Sequence, residues 1–172
     1  MKFRTKMLRV GAIFAAALLV GPAALVAGDG DALQSLAPLE GTWVAAGEGF
    51  TSQLTYEWAL PGLLLRVRNE LRNPAGEIFR RYEGNYAWDP EGSTILFWTV
   101  GGNGELHRGT AGWREGRLWH EGVVSGGSIA GYRSVLEPVG EEWHYRAAYK
   151  LPASDPEILG GAPLVYRKVS SP

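Results

Sequence analysis

Between residues 40 and 150 the chain breaks into short runs of alternating faces, punctuated by Gly, Pro or Asn turns about every ten residues. That rhythm leaves no room for long helices and reads as consecutive antiparallel hairpins. The fold it predicts is all-β: an up-and-down antiparallel barrel of about ten strands. Twenty-four glycines and seven tryptophans suit tight turns and aromatic-filled sheets. A closed barrel has an inside, so the functional question becomes which side chains point into it.

The N-terminus has a different character. Lys2, Arg4, Lys6 and Arg9 precede an apolar run from Val10 to Val20, then Pro22 and small residues, with Ala27-Gly28 offering a cleavage point before Asp29. This is the pattern of a secretory signal peptide over residues 1–28, against the alternative of an uncleaved anchor. Pro22 and the missing positive flank after the apolar run favour cleavage and a periplasmic or secreted product with no membrane span. With no Cys in the chain, neither a lipid anchor at that position nor a disulfide is available. About 140 residues remain, enough for one domain with a real core: a lead-in at 29–38 and a barrel over 39–170. Leu151 to Pro163, with its prolines and glycines, is a loop. Net charge is −1 and the basic residues are scattered, so there is no nucleic-acid footprint.

Hairpins with an even number of loop residues preserve which face is inside. Four-residue turns at Asn73–Gly76, Asp89–Gly92 and Gly101–Gly104, and two-residue turns at Glu115-Gly116, Gly126-Gly127 and Val139-Gly140, separate two faces. The inner one carries Tyr56, Trp58, Tyr82, Tyr86, Phe97, Tyr132 and Tyr145, with Arg108 and Glu121 among them. Leu96, Trp98, Val100, Trp113 and Leu118 land outside. Either a bulge near Gly101 to Gly104 reverses the parity there, or these residues form an apolar patch for a protein partner, centred on Leu96, Trp98 and Trp113.

A barrel filled for stability alone would avoid hydroxyls and charges, because each costs a few kcal/mol if unpaired. Tyrosines, an Arg and a Glu among apolar groups suit a pocket for a small, largely hydrophobic ligand with polar anchors. The alternative is a filled core whose hydroxyls bond one another and buried water. Arg108 and Glu121 read three ways: a neutralising pair, an anchor at Arg108 for an anionic ligand end, or a general base at Glu121.

Other chemistry is poorly supplied. All three histidines fall on the outer face. Four residues of offset separate His120 from His107, ~13 Å along a strand, too far for one metal ion. The aspartates outside the leader sit in terminal, turn or loop positions, so no Ser-His-Asp arrangement assembles. Neither a metal, a cofactor nor a catalytic set is expected. Gly101–Gly104 joins strand to strand, with no helix to cradle phosphate.

Leu39-Glu40-Gly41-Thr42-Trp43, Tyr56-Glu57-Trp58 and Leu63-Leu64-Leu65-Arg66 resemble the calycin superfamily of lipocalins and fatty-acid-binding proteins, most closely exported lipocalin-like bacterial domains. The resemblance covers about residues 36–169. It implies that Trp43 closes the barrel floor and that Arg167 packs over it as a cation on a ring. Fatty-acid-binding proteins hold the ligand carboxylate with Arg-x-Tyr near the C-terminus, an order that Tyr166-Arg167 does not keep. Related nitrobindin-type barrels carry a haem-ligating His inside, which outward histidines would not supply.

The expectation is therefore an exported barrel that binds a small hydrophobic molecule, with room for an anionic end on Arg108. The alternatives are a cofactor-free isomerase, cyclase or lyase using Glu121 and a tyrosine, and an envelope interaction module with a filled barrel.

Overall fold

A computed structural model describes residues 30–127, 129–150 and 162–169. The leader read as a signal peptide and most of the loop after β9 lie outside the described residues. A short helix, α1 (Gly30–Gln34), and a 3₁₀ turn (Ala37–Leu39) precede ten strands. These are β1 (Gly41–Gly47), β2 (Phe50–Leu60), β3 (Leu64–Arg72), β4 (Ile78–Asp89) and β5 (Thr94–Gly101). They continue through β6 (Leu106–Arg114), β7 (Arg117–Ser125), β8 (Gly131–Val139), β9 (Glu142–Lys150) and β10 (Leu164–Lys168). Each strand pairs antiparallel with its sequence neighbours, and β1 against β10 closes the barrel. The up-and-down barrel expected from the turn rhythm is thus the fold.

The lead-in closes one end. Leu33, Leu36 and Leu39 are fully buried in the core cluster at this end, with α1 lying against β4 and β5. Tryptophans lock the plug in place. Trp43 Nε1 donates to Leu39 O at 2.7 Å, and Trp113 Nε1 donates to Ser35 Oγ at 3.0 Å. Trp143 bridges the two rings, 6.1 Å from each, within the range of favourable aromatic contact. The cation over Trp43 is Lys168, with Nζ 5.3 Å from the ring centroid. Arg167, expected in that role, points outward to Glu142, because Lys168 and not Arg167 is the register partner of Trp43.

Five of the six hairpins differ from the expected register: β3–β4, β4–β5 and β8–β9 by two residues, which keeps the faces, and two others by one residue, which reverses them. Val100 pairs with Leu106, not Glu105. Gly104 sits at φ +86 and its N–H bonds Gly101 O, while Gly101 N bonds Glu105 O. That is a three-residue loop with a left-handed glycine, closing on Gly101 and Glu105. The next change falls between β7 and β8, where Glu121 pairs with Arg133 and not Tyr132. The two odd shifts cancel: β6 and β7 are reversed as a unit, while β8 and β9 keep their expected faces. Arg108 and Glu121 therefore lie outside, and His107, Trp113, Leu118 and His120 lie inside.

Leu96, Trp98 and Val100 remain exposed on β5, as parity predicted, and the register places Trp98 beside Arg108 and Arg108 beside Val123. Trp113 belongs to the floor and not to that patch. Elsewhere the outer wall is stitched by ion pairs in which six glutamates (Glu57, Glu70, Glu83, Glu121, Glu137 and Glu142) hold nine arginines. Glu121 is one of these, between Arg114 and Arg133.

If the plug carries the barrel, Leu36→Ala should cost about 2–5 kcal/mol, whereas the exposed Leu60→Ala should change stability by less than about 0.5 kcal/mol. Urea titrations of the two variants check this; equal midpoints would leave the plug without a structural role.

Candidate functional site

Above the tryptophan floor the barrel is hollow. A cavity of about 290 Å³ is walled by every strand except β1, each contributing alternate residues as the pleat requires. All seven tyrosines of the chain line it: Tyr56, Tyr82, Tyr86, Tyr132, Tyr145, Tyr149 and Tyr166. Five of these were expected from sequence. Phe97 is buried in the core behind them, packed against Tyr86, His120 and Tyr132. Trp58 packs against the same core and does not reach the cavity. Arg108 is exposed on the outer wall, and Glu121 sits there in its ion pairs. Neither touches the lumen, so both the Arg108 anchor and the Glu121 base are ruled out.

The outer-face assignment of the histidines also fails for His107 and His120, which line the cavity. The clue lay in the same arithmetic: Trp113 and Leu118, large apolar residues on the same two strands, could not both face water. Ser52, Asn69, Thr99 and Ser134 complete the polar wall.

These polar groups bond one another. Ser52 donates its one hydroxyl hydrogen to Asn69 Oδ1 at 2.9 Å, so Tyr166 Oη donates to Ser52 Oγ at 2.7 Å. Tyr86 Oη lies 3.0 Å from His120 Nε2, and Ser134 Oγ lies 3.2 Å from His120 Nδ1. Burial holds His120 neutral, its pKa pushed down to about 4. A neutral ring donates from one nitrogen and accepts at the other, so this three-member chain runs in either direction with a change of tautomer.

Burial also raises every tyrosine above its ordinary value, Tyr166 to about 12 and Tyr56 and Tyr145 well above it. The deep wall is therefore rich in hydrogen bonds and free of charge at neutral pH. Arg80 is the one lining side chain with a permanent charge. It lies at the open end, where Nη1 donates to Tyr82 Oη at 3.2 Å. Nearby, His107 faces Glu105 with Nε2 3.5 Å from Oε2, at the outer limit for a hydrogen bond. The Asn103 side chain lowers the Glu105 carboxyl below its usual value, opposed by burial and helped by His107.

The Tyr86–His120–Ser134 chain does not make a nucleophilic set. Ser134 and His120 are within bonding distance, yet the third partner is a neutral phenol where a nucleophilic set needs a group that stabilises imidazolium. An imidazole with so low a pKa is also a poor base at neutral pH. Among the described residues no three His, Cys, Asp or Glu side chains converge as metal ligands. Both His120 nitrogens are engaged, so this residue does not fit a haem-ligating role.

No family model and no curated protein matches the chain. Among solved structures, the crystal structure of Rv2717c from M. tuberculosis is similar, with a TM-score of 0.58 over 80% of this chain and 97% of that one. At 13% identity the likeness shows a shared fold alone.

The neutral His120 makes stability depend on pH. The unfolded chain binds a proton there near the ordinary 6.5, whereas the folded one does so only near 4. Below pH 6.5 the unfolded state is thus favoured, and stability should fall by up to about 3 kcal/mol as pH drops through that window. Urea titrations from pH 7 to 4 should show the loss, and His120→Gln should remove most of it. A slope unchanged in the variant would place the titration elsewhere.

Proposed function

We propose that this chain is an exported, calycin-type barrel that carries a small, compact, largely hydrophobic molecule. The observation that supports it most is the convergence of all seven tyrosines on one cavity above a sealed floor. Tyrosine presents an apolar ring together with one hydroxyl, the lining expected where a ligand's body must be buried and its few polar atoms met. At about 290 Å³ the cavity sits at the lower end of the range for ligand pockets, which favours a compact occupant. Apolar burial yields ~25 cal/mol per Å², and lost freedom takes at least ~4 kcal/mol, so affinity depends on how many hydroxyls the ligand engages.

Export rests on the charged, apolar and small-residue zones of residues 1–28. Membership of the calycin group is supported by Gly41-x-Trp43 at the closed end, with a cation over the ring. A second, compatible reading is a protein contact on the outer wall, favoured by Leu96, Trp98, Val100 and Val123, each more than a third exposed.

Protein purified from its own host should release a small molecule on denaturation, detected by mass spectrometry. Leu71→Trp, which narrows the cavity, should reduce that signal, and Arg108→Leu should leave it unchanged. A signal that survives Leu71→Trp but vanishes with Arg108→Leu would move binding to the outer wall. No released molecule at all would favour the contact reading.

A further inference from the structure

The cavity is polar in a directional sense, with one charge at its mouth and none in its depth. We propose that, given the carrier reading above, its ligand is a compact aryl anion, ring inward against the tyrosines and anionic head at the mouth on Arg80. Arg80 differs from the arginines of the outer wall. Nine of those are matched to glutamates, whereas Arg80, among the described residues, has no carboxylate within 4 Å and lines the cavity. Its bond to Tyr82 Oη, and its place 6.0 Å from that ring's centroid, hold the guanidinium while leaving four N–H donors. A planar fork of this kind takes a carboxylate or sulfonate in bidentate fashion. Glu105 is near enough for the Arg80 charge to help lower its carboxyl, but it forms no ion pair with Arg80, is turned to His107 and is absent from the lining.

The wall specifies the body. Half of the lining residues carry rings, and those near the mouth already meet edge to face: Tyr82 with His107 at 5.6 Å, and His107 with Tyr132 at 5.3 Å. Such a cage accepts another flat ring in the same geometry. The deep Tyr86, His120 and Ser134 offer neutral hydrogen bonds only, so an anion pushed to the floor would go unpaired at high cost. The charged end is thereby directed outward.

The test compares 2-naphthoate with 2-naphthamide, equal in shape and different in charge, by calorimetry on the full chain at low salt. The wild type should bind naphthoate about three- to tenfold more tightly, with the preference shrinking in about 0.5 M NaCl. Arg80→Gln should abolish the preference while leaving naphthamide affinity within about twofold, and Arg80→Lys should keep part of it. Equal affinities in the wild type, or a preference surviving in Arg80→Gln, would overturn the head-group assignment and leave the carrier reading standing. If neither compound binds, the aryl class falls, and release of a molecule from native protein decides the carrier reading separately.

Discussion

The upper barrel depends on how its lower end is sealed. Ten strands enclose a wider lumen than the eight-stranded barrels that side chains just fill. Left open at both ends, such a lumen would hold water. Leu33, Leu36 and Leu39 close one end, each contributing ~1.5–3 kcal/mol on full burial. Trp43, Trp113 and Trp143 fix them by hydrogen bond and ring contact. With apolar burial concentrated in that floor, the space above need not be packed with aliphatic groups, and a cavity survives folding.

The polar wall meets a second condition. Hydroxyls and imidazoles facing a lumen of low dielectric cost stability unless they find partners. Here they find each other, through Tyr166–Ser52–Asn69 and Tyr86–His120–Ser134, and among the described residues no buried side-chain polar atom is left unbonded. Self-satisfied donors of this type exchange one partner for another at little net cost, which suits reversible binding. Within these two chains His120, held neutral by burial, takes no proton at neutral pH.

How much of this was legible in the sequence turned on loop parity. The turn residues announce hairpins, and alternation gives two faces for each strand, so the barrel and five of the lining tyrosines followed, whereas the lead-in gave no sign that it would plug one end. Nor did the number of residues in each loop follow. Gly101–Gly104 contains several glycines, and which one takes the left-handed conformation decides whether the loop counts as even or odd; it is Gly104, and the count is odd. That reversed β6, and the offset at Gly126-Gly127 restored β8. Between those two glycine-rich turns every inward and outward assignment was exchanged, which took in both histidines. Side-chain identity could have corrected it, since Trp113 and Leu118 fit the floor only if His107 and His120 share the lumen face.

Arg108 and Arg80 show what one residue of register decides. Both are arginines without an ion-pair partner among the described residues, and from composition either could anchor an anion. Arg108 stands in a row with Trp98 and Val123 on the outer wall. There its aliphatic stem can cover apolar surface while the head stays hydrated, a role that needs no ligand. Arg80 stands at the rim with Tyr82 holding its guanidinium and an uncharged chamber behind it. Low dielectric on one side strengthens its attraction for an anion relative to the same charge on an open wall. The distinction is therefore one of surroundings: the left-handed Gly104 at the β5–β6 hairpin turns Arg108 outward, while the β3–β4 pairing that sets Arg80 opposite Leu71 brings it to the rim.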